Sequence, residues 1–413
     1  MERRRVVITG LGAVTPLGLT APESWQAVRS GVCGIGPISQ FDPAGMKVCL
    51  AAEVKGFDPE TWISKPEAKR MGRFTQFAVA SAREALADAG FSPEGAEADR
   101  CGVIVSSGIG GLGITEEEHD RGLARGWDRV SPFFIPSGIC NMAAGQVAIA
   151  AGFRGMCACP VAACTGGTNA VGDAFHYIRD GYAEVCLCGG TESAVTPLAV
   201  GGFTSMRALT QAEDPARASI PFDGERSGFV LGEGAAILLL EELEHARRRG
   251  AKIYAEVAGY GATCDAYHMT APRPDGSGGA KAMAQALADG AVPAEAVGYI
   301  NAHGTSTHLN DAIETAAVKA VFGDHARRLA VSSTKSMTGH MLGAAGAVEA
   351  MFTALALRDG FLPATINYRV PDGECDLDVV PNEGRAEAVE YAMSNSLGFG
   401  GHNGSILLRR WEA

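Results

Sequence analysis

Short continuous apolar runs alternate with amphipathic stretches along this chain. VVIT at 6–9 predicts a buried strand that runs into the glycine-rich turn GLGAVTPLG. RFTQFAVASAREALADAGF at 73–91 carries apolar residues at helical spacing and a glycine stop. CGVIVSSGIGG at 101–111 predicts a buried strand entering a glycine loop. Residues 157–163, 165–180 and 184–190 predict strand, helix and strand, a βαβ-like unit. GEGAAILLLEELEHARRRG, ending at Gly250, predicts a strand and then a short helix with a basic end.

After residue 253 the alternation starts again. YAEVAGYGA predicts a strand and GGAKAMAQALADG a helix. VGYINAHGTST predicts a strand ending in a polar turn, and DAIETAAVKAVFG a helix. LAVSSTKSMTGH predicts a strand and loop, GAAGAVEAMFTALALRDG a small-residue helix, and SNSLGFGGHNGSILLRRW a turn between terminal strands. Runs this short and apolar predict sheets buried on both faces. No Pro/Ser-rich or charged linker interrupts them, so two closely packed α/β halves are expected, 1–252 and 253–413.

Composition narrows the class. The 413 residues are enough for a large core. A net charge of -12 argues against general nucleic-acid affinity, which needs a basic footprint. The 11 cysteines are irregularly spaced, without a disulfide framework or paired C-x-x-C zinc motifs. Cys157/Cys159 and Cys186/Cys188 lie in apolar runs and are expected to be small buried residues. A reducing, cytoplasmic setting follows. No apolar run reaches the roughly 20 residues of a membrane span, so no membrane association is expected.

Candidate chemistry centres on VAACTGG, where Cys164 falls at the first turn of the 165–180 helix. The helix N-terminus offers free N–H groups and the positive dipole end. A free thiol has a pKa of about 8.5, and each unit of lowering corresponds to about 1.4 kcal/mol. The site is therefore expected to enlarge the thiolate fraction. The competing reading is a packed core cysteine. His303 and His340 both sit just past strands, in small-residue loops. Ligand chemistry in α/β sheets gathers at the carboxyl ends of strands, where three such side chains can converge. Lys335 lies five residues before His340 among Ser, Thr and Gly, and is either a solvated lysine or a buried partner for Glu349. Phe399, bracketed by glycines in GFGGHNG, lies either in a movable loop whose N–H can approach a ligand or in a plain hairpin turn.

Together, Cys164 in its small-residue loop, HGTST, K-x-x-x-G-H and GFGG resemble the β-ketoacyl-acyl carrier protein synthases. The resemblance runs from VVITGLGAVTPLG to SNSLGFGGHNGS and includes AYHMTAPRPDG and IPFDGERSGFVLGEGA. His340 gives the Cys-His-His pattern of the elongating enzymes of dissociated fatty acid synthesis. The initiating relatives have Cys-His-Asn and thiolases Cys-His-Cys. The resemblance implies an α/β thiolase-like fold: five α-β-α-β-α layers from two similar βαβαβαββ halves. It also implies a homodimer, with no metal and no organic cofactor. The phosphopantetheine arm arrives on acyl carrier protein (ACP).

By the same resemblance, Cys164, His303, His340 and Lys335 are catalytic. Cys164 accepts an acyl group from acyl-ACP, and the enolate of malonyl-ACP, formed by loss of CO2, attacks it. The N–H groups of Cys164 and Phe399 form the oxyanion hole, and Phe399 is the gate. Each histidine is expected to donate one N–H while its other nitrogen accepts a hydrogen bond. Thr270, Thr305 and Thr307 match pantetheine-binding positions, and Ile109 and Phe203 the acyl pocket. Glu349 is expected to support Lys335. Lys65, Lys69, Arg70 and Arg207 are expected to dock the acidic ACP despite the overall charge. Ala68 stands where relatives often carry arginine, so the resemblance does not fix the strength of that docking. A polyketide or specialised-lipid ketosynthase would share the chemistry. A thiolase would need a second catalytic cysteine, and the nearest, Cys375, lies in PDGECDLD, which resembles an exposed loop. A non-condensing partner subunit would not acylate Cys164.

Overall fold

The computed structural model describes residues 3–412. Ten strands form one long sheet whose two ends repeat the same plan. The first five are β1 (Val6–Val14), β2 (Cys101–Ser106), β3 (Cys157–Ala158), β4 (Val185–Glu192) and β5 (Gly234–Glu242). They lie in the order β1-β5-β4-β2-β3. The next five are β6 (Ala255–Cys264), β7 (Val297–Asn301), β8 (Ala330–Ser332), β9 (Tyr391–Gly398) and β10 (His402–Arg410). They lie in the order β6-β10-β9-β7-β8. In both sets the first strand is followed by the fifth, fourth, second and third. The sets join where Val6–Ile8 pairs antiparallel with Ala255–Val257.

Six helices complete the five layers implied by the resemblance. α1 (Arg73–Ala89) and α2 (Met142–Ala151) cover the outer face of the first set. Two more helices are central: α3 (Gly166–Arg179) and, late in the chain, Ala345–Asp359. The outer face of the second set carries α4 (Ser277–Gly290) and α5 (His308–Phe322). The late central helix is α6, buried on every side from Ala345 to Leu357, as a helix apolar all round must be. Where α3 and α6 cross, a Cβ on Gly167 would lie 2.7 Å from the Ala347 amide nitrogen, and one on Gly346 would lie 2.1 Å from Thr168 Oγ1. No described helix is long and apolar enough to cross a membrane.

Three expectations change. GLG at 10–12 lies inside β1, not in a turn. A Cβ on Gly10 would sit 2.2 Å from the Ala85 carbonyl oxygen of α1, and one on Gly12 would sit 2.0 Å from that of Ser81. Gly259 and Gly261 of β6 meet α4 in the same way, at 2.2 and 2.0 Å from the Ala286 and Ala282 carbonyl oxygens. These glycines are demanded by helix-on-sheet approach. The strand expected at 157–163 is only two residues long, because Pro160 has no N–H to continue a ladder. β3 is a sheet edge, so Cys157 is exposed and Cys159 half-buried, while Cys186 and Cys188 in central β4 are buried as expected. Cys375 is buried, not exposed: it belongs to the apolar cluster that also holds Phe222 and Val331.

Candidate functional site

The ends of four strands meet in one cavity of about 500 Å³. After β3 the chain makes a tight turn, Ala163–Thr165, with Ala163 at φ 47°. This turn delivers Cys164 to the start of α3. His303 follows β7, and its loop is tied down by Glu314, whose carboxylate accepts from the N–H groups of His303 at 2.9 Å and Gly304 at 2.8 Å. A one-turn helix, Lys335–Thr338, follows β8 and ends at Gly339, φ 63°. The next residue, His340, is pinned through its backbone: its N–H donates to the Val230 carbonyl at 2.8 Å and its carbonyl accepts from Gly232 at 2.9 Å. Phe399 lies between β9 and β10, followed by Gly400 and Gly401 at φ 87° and 76°, a left-handed pair suited to glycine.

Cys164 Sγ and one ring nitrogen from each histidine lie within 4.8 Å of one another, all buried. The two imidazoles are edge-on, centroids 5.2 Å apart, and Phe229 packs edge-on against His340 at 5.3 Å. The ring nitrogens His303 Nδ1, His340 Nδ1 and His340 Nε2 are buried without a hydrogen-bond partner. The internal donor expected at one nitrogen of each ring is therefore missing for His340. The protein leaves these atoms for whatever enters the cavity.

Burial controls the protonation of all three groups. It pushes the Cys164 thiol up to about 12. Lys335 and the backbone N–H groups of Phe399 and Cys164 pull in the opposite direction, and Glu192 adds to the rise. Against the expected net gain of thiolate at the helix terminus, desolvation exceeds the combined pull of Lys335 and the two N–H groups. Burial also holds His303 well below the ordinary imidazole range, helped by Lys335 and His340. His340 is lowered by burial and then by Lys335. Both imidazoles are neutral at pH 7.

Lys335 does not reach the cavity. Only 1% exposed, it forms an ion pair with Glu349 Oε1 on α6, while Oε2 has no partner. The pairing suggested by a lone carboxylate in an apolar helix is present. Burial raises Glu349 to about 7 against the pull of Lys335.

Ile109, Phe203, Phe399 and Leu342 line the cavity beside Cys164. Thr270, Thr305 and Thr307 line it too, with Thr305 Oγ1 and Thr307 Oγ1 2.9 Å apart. Arg207, exposed, borders the same cavity. Lys65, Lys69 and Arg70 are exposed and do not line it. Lys65 pairs with Glu60 at 3.2 Å, and the Arg70 guanidinium lies 5.3 Å from the Phe133 ring centre. Sequence reasoning missed Glu192 and Glu314, two fully buried carboxylates that hold the loops around the thiol. The only signal was a carboxylate at an apolar strand end, in CLCGGTE, and one in the apolar face of DAIETAAVKAVF.

Residues 3–246 match the description "Beta-ketoacyl synthase, N-terminal domain" and residues 254–369 "Beta-ketoacyl synthase, C-terminal domain". The chain is 51% identical over 413 residues to the 3-oxoacyl-[acyl-carrier-protein] synthase 2 of Synechocystis sp., covering 100% of this chain and 99% of that one. It is 50% identical over 411 residues to the protein of the same name in Coxiella burnetii, covering 99% of each. Among solved structures, the ishigamide ketosynthase/chain length factor superposes with a TM-score of 0.93 at 37% identity, over 99% of this chain and 100% of that one. A type II polyketide ketosynthase in complex with its acyl-carrier protein superposes with a TM-score of 0.92 at 35% identity, over 100% of both.

Proposed function

This chain belongs to the β-ketoacyl synthase family, and from that premise we propose how its residues carry out the condensation. The enzyme joins acyl-ACP to malonyl-ACP, giving 3-oxoacyl-ACP, CO2 and free ACP, and so elongates fatty acids. Residues 1–252 supply the thiol and residues 253–413 the two imidazoles.

Cys164 sulfur attacks the thioester carbon of acyl-ACP, and the S–C bond to pantetheine breaks. The thiol proton passes to the departing pantetheine thiolate through a neighbouring imidazole. The developing oxyanion is held by the N–H groups of Cys164 and Phe399, the two that also act on the resting sulfur. Malonyl-ACP then loses its carboxylate as CO2, and the electron pair moves onto the thioester oxygen. His303 and His340 donate N–H bonds to that oxygen. Neutral imidazoles suit this step, because cations would hold the malonyl carboxylate as an ion pair and oppose its loss. The enolate carbon attacks the acyl-Cys carbonyl, and Cys164 sulfur leaves. Lys335 and Glu349 act from behind as an electrostatic support. Thr270, Thr305 and Thr307 hold the pantetheine arm, and Ile109 and Phe203 contact the acyl chain.

The observation that supports this most directly is a thiol and two neutral imidazoles with free buried nitrogens in one cavity. The same three groups are close enough to share an ion, but no step requires a metal or an organic cofactor. ACP is the partner. Lys65, Lys69, Arg70 and Arg207 form its docking surface, and the enzyme works in the cytoplasm as a homodimer. An open edge at β3, with exposed apolar residues Phe133, Ile135, Ile139, Ile149 and Val161 in the segments on either side of it along the chain, supports the dimer, since exposed apolar surface marks interfaces.

Intact mass spectrometry with palmitoyl-ACP and then malonyl-ACP tests the assignment, in buffer with and without EDTA. The expected result is one acyl group on Cys164, discharged as 3-oxoacyl-ACP, unchanged by the chelator. Absence of acylation overturns the condensing reading in favour of a partner subunit. Acylation from acyl-CoA alone points to thiolase-like chemistry.

A further inference from the structure

Glu192 is the last residue of β4 and wholly buried. Every hydrogen bond it receives comes from a neutral donor. Oε1 accepts from Ser107 Oγ at 3.0 Å and the Ile109 N–H at 3.2 Å. Oε2 accepts from the N–H groups of Gly108 at 2.8 Å and Gly343 at 3.0 Å. One carboxylate thus staples two separate loops, 107–109 after β2 and 342–344 after His340. Both loops close on it tightly enough to require glycine. A Cβ on Gly108 would lie 2.8 Å from Oε2, and one on Gly343 would lie 2.4 Å from the Gly108 amide nitrogen.

The stapled loops carry Ile109 and Leu342, which line the cavity and pack in the same apolar cluster as Cys164 and Phe203. Resting on the condensing reading above, we propose that Glu192 is a positioning residue that fixes the apolar wall beside the thiol and thereby sets which acyl chains are accepted. An ionised carboxylate buried among neutral donors is costly. An apolar residue could fill the volume but could not hold three backbone N–H groups and a hydroxyl at once.

The geometry also says what glutamine would do. Its amide nitrogen cannot face the Gly108 and Gly343 N–H groups, so it turns toward Ser107 and Ile109. The Ser107 hydroxyl can rotate to accept, but the Ile109 N–H cannot. Glu192→Gln therefore releases one anchor, the one bearing the wall residue. It also removes a negative charge acting on Cys164, whose other charged or titratable neighbours are Lys335, His303 and His340.

The test uses full-length protein with wild type, Glu192→Gln and Ser107→Ala. It compares kcat/KM for hexanoyl-ACP and palmitoyl-ACP, and the pH profile of iodoacetamide alkylation at Cys164 by peptide mapping. In Glu192→Gln the ratio between the two chains is expected to move toward one by about tenfold, the lower range of discrimination by a methylene. The alkylation midpoint is expected to fall. A loss of activity equal for both chains, with an unmoved midpoint, overturns the proposal. If Glu192→Gln does not fold, Ser107→Ala keeps the carboxylate and is expected to shift the ratio in the same direction by less; no shift there is equally fatal. Wild type that is never acylated defeats the condensing reading instead, so the two failures are distinct.

Discussion

Replacing Lys335 with alanine isolates a carboxylate. Glu349 is 2% exposed, its Oε1 has Lys335 as its ion-pair partner, and its Oε2 has no partner. Removing one member of a buried ion pair costs about 3–5 kcal/mol, because the survivor remains desolvated and uncompensated. Glu349 has one escape, which is to take up a proton. Its carboxyl already stands at about 7 with Lys335 present, and losing that cation moves it higher. A folded-state value above the unfolded one gives stability that is complete below about pH 4.3 and is lost as pH rises through the folded value. Relative to wild type, whose Glu349 titrates at about 7, the deficit of Lys335→Ala should therefore grow as pH rises above about 7. Lys335→Ala/Glu349→Ala removes both charges, leaving only lost packing, and should regain most of the electrostatic loss. Condensation should not return in the double variant, because Lys335 also opposes the rise of the Cys164 thiol and reinforces the burial that keeps both histidines neutral. Urea unfolding at pH 5, 6, 7 and 8, with turnover per folded molecule, measures both effects. A single variant within about 1 kcal/mol of wild type at pH 8, or a double variant no more stable than the single, would refute this account of the pair.

The two half-reactions should separate at the histidines. His340→Ala is expected to retain acylation of Cys164 but to lose about 100-fold or more in CO2 release from malonyl-ACP, the size of one missing oxyanion donor; equal losses in both steps would contradict the assignment. Glu substitutions at Lys65 and Lys69 together should raise KM for acyl-ACP with kcat unchanged, most strongly at low salt. A KM that ignores both the substitutions and the salt removes these residues from the docking surface. His245, raised above its ordinary value by hydrogen bonding to Glu241 and then to Glu97, should stabilise the fold fully below about pH 6.5 and lose that contribution as pH rises through its folded value. His245→Gln should flatten that part of a Tm-versus-pH curve; an unchanged slope would remove His245 as its source.

Much of the frame was legible because strand and helix announce themselves by spacing. The long helices and both halves of the alternation fall close to where periodicity puts them. The thiol could be located because a strand, a small-residue turn and a helix follow one another within a few residues. Lys335 and Glu349 could be paired because an apolar helix has no other use for a lone carboxylate. The thiol's protonation could not be read, since the helix terminus is local in sequence but the desolvation that raises the thiol comes from the whole enclosure. GLG in β1 was misplaced for a related reason: glycine signals a turn in sequence, and only the approach of α1 shows that it signals contact. Glu192 and Glu314 were invisible because their partners are mostly backbone N–H groups, which every residue but proline possesses.

Cys164 and His340 occupy corresponding places in the repeated plan. Each lies between the third strand of its set and the helix that enters the central layer. The distance between attacking sulfur and imidazole therefore depends on how α3 and α6 meet at Gly167 and Gly346, together with the backbone bonds of His340 to Val230 and Gly232. The crossing acts as a caliper, with its pivot in the core and its two tips at the reacting carbon. A methyl group added at the pivot would be read at the tips, as a change in reach far from any substrate contact.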